Sequence, residues 1–317
     1  MPDVISINGT DIRCGQSADV NLTIARLPTY TSIDLPVRIY RAETDGPVLL
    51  LTGGLHGDEI NGIEIVRRMI TRKLLQPEIG TVIALPLVNV YGFIQNVRGV
   101  PDGKDINRSF PGSRKGSLAM IVADVLMNEI IPHIDLGLDF HTGGASRANY
   151  PQVRAALDQP ENITYCKAFG PPVVLHSRPI DKSFRKAAAK RGRPILVYES
   201  GEAHRLDEEG IEEGINGTLR LMKYLGMKNR APATQNTEFY HKSTWVRAGY
   251  AGLFRPEIEL GSSVNRNQML GRITDPFGFE VFRIKANRKG RVIGLNNSPV
   301  VHKGDALMHL AYEMEAI

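Results

Sequence analysis

The residues best equipped for chemistry are a histidine and a glutamate three positions apart, in Leu51-Thr52-Gly53-Gly54-Leu55-His56-Gly57-Asp58-Glu59. An imidazole and a carboxylate on one turn suit zinc, which takes nitrogen and oxygen donors at about 2.0–2.2 Å. Two such ligands are too few for a catalytic zinc, which has three from the protein and keeps one position open. The best candidate for the third is His141, in Asp139-Phe140-His141-Thr142-Gly143-Gly144. Taken singly, His-x-x-Glu more often marks a capped helix start, and a lone histidine at a strand end is more often structural. His56, Glu59 and His141 together, each set ending an apolar run among glycines, point to a site for one zinc per chain.

Two further polar groupings fit such a site. In Asp105-Ile106-Asn107-Arg108-Ser109-Phe110-Pro111-Gly112, an amide stands beside a planar guanidinium fork suited to bidentate capture of a carboxylate. Alone this reads as a surface loop; beside a metal, Arg98 of the same loop could also neutralise an oxyanion. Val197-Tyr198-Glu199-Ser200-Gly201 ends an apolar run in a carboxylate. There Glu199 could act as general base on a metal-activated water, since a bound metal lowers the pKa of water to about 7. Its bland alternative is a helix cap or a partner for a lysine, and Glu202 is a competitor three residues farther on.

These groups need a scaffold that brings distant segments to one rim. Residues 48–51 read as a buried strand, and Ile60, Ile63, Val66, Met69 and Ile70 recur behind Glu59 at helix spacing. The motif therefore sits where a strand hands over to a helix, and open α/β sheets bind ligands at that end of their strands. Residues 22–25, 37–40, 81–88, 172–176 and 194–198 are expected as strands. Helices are expected from Ser117 to before Pro132, near 181–191, and from about 211 to Gly226. Residues 89–116 are expected to be a polar loop and 142–170 an irregular excursion. The alternation predicts an α/β domain of three layers with a mixed β-sheet.

The pattern changes near 229–234. Beyond it only short alternating runs remain, such as 244–246 and 281–284, so the chain divides into a catalytic domain, 1–230, and a small all-β domain, 231–317. The wording of the latter resembles biotinyl/lipoyl-type barrel-sandwich domains. Lys285 and Lys289 lack the setting of a modifiable carrier lysine, so a structural or gating role is expected.

Composition fits an ordinary soluble globular protein, with 42% hydrophobic and 23% charged residues. No apolar run approaches the roughly 20 residues that span a bilayer. The start, Met1-Pro2-Asp3-Val4-Ile5, lacks a basic segment and apolar core, so a cytoplasmic location is expected. The net charge of +5 comes without a basic block interleaved with aromatics, which speaks against nucleic acid. Two cysteines, Cys14 and Cys166, make no disulfide framework and show no metal spacing.

Gly53-Gly54-x-His56-Gly57-Asp58-Glu59, Asp105-x-Asn107-Arg108-x-Phe110-Pro111-Gly112, Asp139-Phe140-His141-Thr142-Gly143-Gly144 and Glu199-Ser200-Gly201 occur in the order seen in the succinylglutamate desuccinylase/aspartoacylase family. The chain resembles that family over about 50–225, and the family is related to the zinc carboxypeptidases. The resemblance implies a zinc-carboxypeptidase-like fold with zinc on His56, Glu59 and His141, and Glu199 as base. It implies that Asn107 and Arg108 hold a substrate carboxylate, that Arg98 polarises the scissile carbonyl, and that Arg185 is a further substrate contact. Asp139 becomes a group that orients a histidine ligand. The family's tyrosine contacts find no clear counterpart among Tyr150, Tyr165 and Tyr198. The expected activity is zinc-dependent hydrolysis of the amide bond of a small N-acyl amino acid, without nucleic acid or membrane; homo-oligomer formation is left open. The alternatives are a metallocarboxypeptidase and a non-catalytic zinc or metabolite-binding protein.

Overall fold

The computed structural model describes residues 4–315; Met1-Pro2-Asp3, part of the start read above for the lack of a signal peptide, lie outside the described residues. A hairpin of β1 (Val4–Ile7) and β2 (Thr10–Arg13) precedes the antiparallel pair β3 (Ser17–Arg26) and β4 (Ser32–Arg41). Next come β5 (Thr44–Thr52), α1 (Ile60–Thr71) and β6 (Ile79–Leu85), with β5 and β6 parallel. Then follow α2 (Val90–Gln95), α3 (Leu118–Val125), β7 (Leu136–Gly143), β8 (Arg147–Ala155), α4 (Pro160–Phe169) and β9 (Val173–His176). Helices α5 (Phe184–Ala189) and α6 (Glu208–Tyr224) flank β10 (Ile195–Glu202). After residue 230 the regular elements are strands: β11 (Glu238–Arg247), β12 (Gly252–Pro256), β13 (Ser263–Val264), β14 (Met269–Thr274), β15 (Val281–Lys285), β16 (Gly290–Asn296), β17 (Val300–Val301) and β18 (Ala306–Glu315).

Most of these strands join one mixed sheet of twelve, in the order β3-β4-β6-β5-β7-β10-β8-β9-β11-β18-β16-β13. At its centre β5, β7 and β10 run parallel, so their C-terminal ends open onto the same rim. The unbroken apolar run in β5 follows from burial on both sides. Val48 and Leu50 pack in a cluster with α3 and α5, whereas Leu49 and Leu51 pack with α1, α4 and α6. Full burial of each leucine contributes about 1.5–3 kcal/mol.

The expected strands and helices lie where hydrophobic spacing put them, and the strand residues of 22–25 and 37–40 belong to longer ribbons. Four details differ. Residues 89–116 are not all loop, because α2 and a 3-10 turn, Ile106–Arg108, lie within them. Ser117 stands at the start of α3 but makes no side-chain cap, and the helix gives way to a π turn, Leu126–Ile130, and a 3-10 turn, Ile131–His133. Residues 142–170 are not irregular: they hold β8 and α4. Finally, the sheet does not stay open. A further pairing of β16 with β8 closes β8, β9, β11, β18 and β16 into a five-stranded barrel, so strands from both sides of residue 230 share one set of hydrogen bonds. The remaining strands β15-β14-β12-β17 form a separate four-stranded sheet. Among the described residues no helix is long and apolar enough to cross a membrane.

Behind the sheet a buried cation ties α4 to α6 beside their shared apolar cluster. Arg220 of α6 donates to the carbonyls of Phe169 and Gly170, 2.7 and 3.1 Å away, and pairs with Glu213. Phe169 ends α4 and Gly170 is its left-handed cap, so Arg220 satisfies carbonyls that the helix cannot. Removing one member of a buried ion pair strands the other and costs about 3–5 kcal/mol. Arg220→Met is therefore expected to lower unfolding free energy by about that amount in a denaturant titration. Arg67→Ala, at the exposed pair with Glu64, should leave the midpoint in place. Equal midpoints for wild type and Arg220→Met would show that Arg220 is dispensable for joining α4 to α6.

Candidate metal centre and active site

The rim of the sheet is built by tight backbone packing. After β5 the chain turns through Gly54 at φ +60, and Gly57 packs so closely on α2 that a Cβ would lie 2.0 Å from the Gly92 carbonyl carbon. Only glycine allows the close approach at Gly57, and it is the residue that adopts the left-handed turn at Gly54 without strain. This turn delivers His56 and places Glu59 at the head of α1. His141 lies near the end of β7, and the parallel register sets it beside Glu199 of β10.

The three proposed ligands meet. His56 Nδ1 is 2.7 Å from Glu59 Oε1, His141 Nδ1 is 2.7 Å from Glu59 Oε2, and the two Nδ1 atoms are 3.2 Å apart. All three side chains are buried, and one donor atom from each falls within 4.8 Å of the others. The outer ring nitrogens face carboxylates: His141 Nε2 lies 2.8 Å from Asp139 Oδ2, and His56 Nε2 lies 3.3 Å from Asp105 Oδ1. Asp139 is itself fixed by the Thr52 hydroxyl, 2.7 Å away. At His141 the carboxylate on Nε2 keeps the proton there and leaves the Nδ1 lone pair turned inward, as in metal-bound histidines.

Charge agrees with this. Burial works against ionisation of Glu59, but His56 and His141 hold its pKa well below the usual carboxylate range. Burial likewise opposes a charged His141, and Asp139 and Glu59 reverse that and raise its pKa well above the usual value. The pocket wants positive charge between these groups. With neutral imidazoles, the three carboxylates of Glu59, Asp105 and Asp139 against the Arg98 guanidinium leave two negative charges, which a divalent cation matches. Two nitrogens and a carboxylate fit zinc.

The other expected residues line the same cavity, about 400 Å³ in volume. Arg98 Nη1 donates to Glu59 Oε1 at 2.9 Å, and its Nη2 to Asp105 Oδ2 at 3.1 Å. Asp105 also accepts from the Asn107 amide nitrogen at 2.7 Å, capping the 3-10 turn that carries Asn107 and Arg108. The Asn107 side-chain oxygen accepts from the backbone N–H of Phe184, tying this loop to α5. Arg108 is an exposed residue of the cavity lining and, among the described residues, donates only to the neighbouring Asn107 carbonyl. Arg185 is anchored by the Arg154 carbonyl and the Ser177 hydroxyl, and burial followed by the Arg154 charge pushes its pKa down to about 10.

Glu199 accepts from Asn149 Nδ2 at 2.7 Å and lies 3.2 Å from Arg154 Nη1. Its competitor Glu202 is the last residue of β10, and it accepts from Asn297 away from the cavity. Sequence reasoning missed Arg147, Asn149 and Arg154, all on β8, and Trp245 of β11. The chain's single tryptophan in an alternating strand was the available signal for Trp245. Tyr150, Tyr165 and Tyr198 do not line the cavity; Tyr198 is buried and donates to the Gly210 carbonyl.

Comparison with known proteins follows the same lines. The family model for the succinylglutamate desuccinylase/aspartoacylase catalytic domain matches residues 45–225. The N-alpha-acetyl-L-2,4-diaminobutyric acid deacetylase of Halomonas elongata is 27% identical over 303 residues, covering 90% of this chain and 88% of that protein. A solved succinylglutamate desuccinylase/aspartoacylase from Rhodobacter sphaeroides superposes with a TM-score of 0.82 at 27% identity, over 94% of this chain and 95% of the other. The ectoine utilization protein EutE (DoeB) of Ruegeria pomeroyi, solved with product bound, shares the fold at a TM-score of 0.82 and 22% identity, over 99% of both chains. Matched through the residues that carry its motifs and along nearly its whole length, the chain belongs to the succinylglutamate desuccinylase/aspartoacylase family.

Proposed function

We propose that this protein is a zinc-dependent amidohydrolase that splits a small N-acyl amino acid into a carboxylate and an amine. The observation that carries this reading is the meeting of His56, Glu59 and His141 at the strand ends, with the Glu199 carboxylate on the neighbouring strand beside them. The H. elongata relative, named as a deacetylase of an N-acetylated amino acid, supports the choice of bond. A cavity of about 400 Å³ suits a small substrate, with Trp245 bounding it on the barrel side.

His56, Glu59 and His141 would hold the ion, which when bound supplies a Lewis acid that polarises the scissile carbonyl and acidifies water. Glu199 takes a proton from the attacking water and passes it to the leaving nitrogen as the C–N bond breaks. Arg98, held between Glu59 and Asp105, faces the charge that develops on the carbonyl oxygen. Asn107 and Arg108 bind the free carboxylate of the amino acid, and Arg185, which lines the same cavity, is a further substrate contact. The same reading keeps the three-layer, carboxypeptidase-like arrangement for 1–230 and treats 231–317 as the all-β domain that bounds the cavity. A carboxypeptidase would use the same groups on a peptide. A panel of N-acyl amino acids and short peptides, each with and without chelator, separates the two. Chelator-sensitive cleavage of the N-acyl amino acids is expected, and cleavage of peptides alone would replace this reading with the carboxypeptidase.

Purified protein should contain about one zinc per chain, and His141→Ala should lose most of it. Full retention of metal by that variant removes His141 from the ligand set. Glu199→Gln preserves shape but cannot accept a proton; it should keep its zinc and lose about 10²–10⁴ in turnover. Activity within about threefold of wild type would rule out Glu199 as the base, because general base catalysis is worth far more. Arg108→Lys keeps the charge but loses the planar fork, so kcat/KM should fall by about one to two powers of ten. Esterifying the substrate carboxylate should cost wild type a similar factor and this variant much less, since one contact cannot be lost twice. Equal cleavage of acid and ester by wild type would show that the loop is not a carboxylate clamp.

A further inference from the structure

Glu199 is held from a strand that plays no part in binding the metal. Asn149 of β8 donates from Nδ2 to Glu199 Oε2 at 2.7 Å, while Arg154 of the same strand approaches Oε1 at 3.2 Å. Five positions apart on a regular strand, these two side chains would point to opposite faces. They converge because the ladder is bulged: β8 advances from Asn149 to Gln152 while β10 advances only from Gly201 to Glu199. The extra β8 residue reverses the alternation, and Pro151, which has no N–H to leave unpaired, lies in the irregular stretch. Bulges of this kind re-aim side chains next to active sites.

The surroundings of Asn149 are equally specific. It is 5% exposed and lies between two glycines, Gly201 of β10 and Gly294 of β16. A Cβ on Gly294 would come within 3.3 Å of Asn149 Oδ1, so the neighbouring strand has space for this amide and little more. Ala148 and Arg147 continue the pairing against Leu295 and Asn296 of β16. One edge of this part of β8 is thus fixed by the barrel and the other by the strand that carries Glu199.

We propose that Asn149 is the positioning residue for Glu199: its amide fixes Oε2, so that Oε1, on the side of Arg154, is the oxygen presented to the reacting water. This rests on Glu199 being the general base. Asn149 acts only through Glu199 and needs no contact with substrate, so its loss should appear in kcat and leave KM in place.

The test uses Asn149→Asp and Asn149→Ala in the full-length zinc-loaded protein, each with wild-type Glu199 and with Glu199→Gln. Asn149→Asp preserves volume but sets an acceptor against the Glu199 carboxylate. It should lower kcat at neutral pH by about tenfold or more, with KM within about twofold and with metal content and Tm unchanged. Asn149→Ala should fall less than Asn149→Asp, although it changes the packing more; a packing role alone gives the reverse order. In the Glu199→Gln background neither change should lower the residual rate further. Asn149→Asp at wild-type kcat, the reversed order, or an undiminished loss in the Glu199→Gln background would each overturn the positioning role. If Glu199→Gln itself is fully active, the base assignment falls and this proposal falls with it. A dead Glu199→Gln beside an active Asn149→Asp removes the proposal alone.

Discussion

Two imidazole nitrogens and a carboxylate, all buried, are turned toward one another, and the rest of the site is arranged to sustain that contact. Lone pairs facing each other out of water are unfavourable unless a cation joins them. Asp139 strengthens the demand by fixing the outer ring nitrogen of His141, and Asp105, 3.3 Å from His56 Nε2, adds negative charge. Arg98 meets part of it from the loop side. Glu199 is kept apart electrostatically, since its own charge is met by Arg154 and Asn149 rather than by Arg98. On the proposed mechanism, metal holding and proton transfer would fall to two carboxylates in different surroundings, a division that paired titratable groups at active sites commonly show.

Backbone geometry makes this separation possible. β5, β7 and β10 are parallel neighbours, so His56, His141 and Glu199 reach one rim from segments far apart in the chain. Gly201 adopts φ +72 at a break in the β10 ladder, and a Cβ there would meet Asn61 Nδ2 at 2.3 Å. Glu-Ser-Gly is thus a carboxylate followed by the bend that ends regular pairing, with the Ser200 carbonyl accepting from Asn61 of α1. The helix behind the metal loop and the strand bearing Glu199 are tied directly to each other.

Much of this was legible in the sequence because it depends on local signals. The apolar run at 48–51, the glycines around His56 and the helical spacing after Glu59 each state their own structure. That His56, Glu59, His141, Asn107, Arg108 and Glu199 line one cavity was readable because each ends an element or sits in a turn. β8 was not. Arg147-Ala148-Asn149-Tyr150-Pro151-Gln152-Val153-Arg154-Ala155 has no period, since its bulge breaks the alternation and charged side chains point into a polar cavity rather than a core. Its neighbours β9, β10 and β16 make it a strand, and those pairings span up to about 150 residues of sequence. Barrel closure was invisible for the same reason: it is a property of long-range register rather than of any segment.

The composition break near 229–234 marks a change of element type, yet hydrogen bonding runs across it. Of the five barrel strands, β8 and β9 precede the break and β11, β16 and β18 follow it. The later strands also supply the cavity's one broad aromatic face. Trp245 stacks on His309 with ring centroids 4.3 Å apart and planes 7° from parallel, and Arg147 lies 5.8 Å over the indole. Burial, and then the charge of Arg154, pushes the His309 pKa down to about 3, so this imidazole is neutral at working pH. A neutral ring can lie flat beneath Trp245 without adding another cation to a cavity already lined by five arginines. The barrel thus contributes both an uncharged aromatic face, Trp245 over His309, and the β8 cations Arg147 and Arg154 to the same cavity.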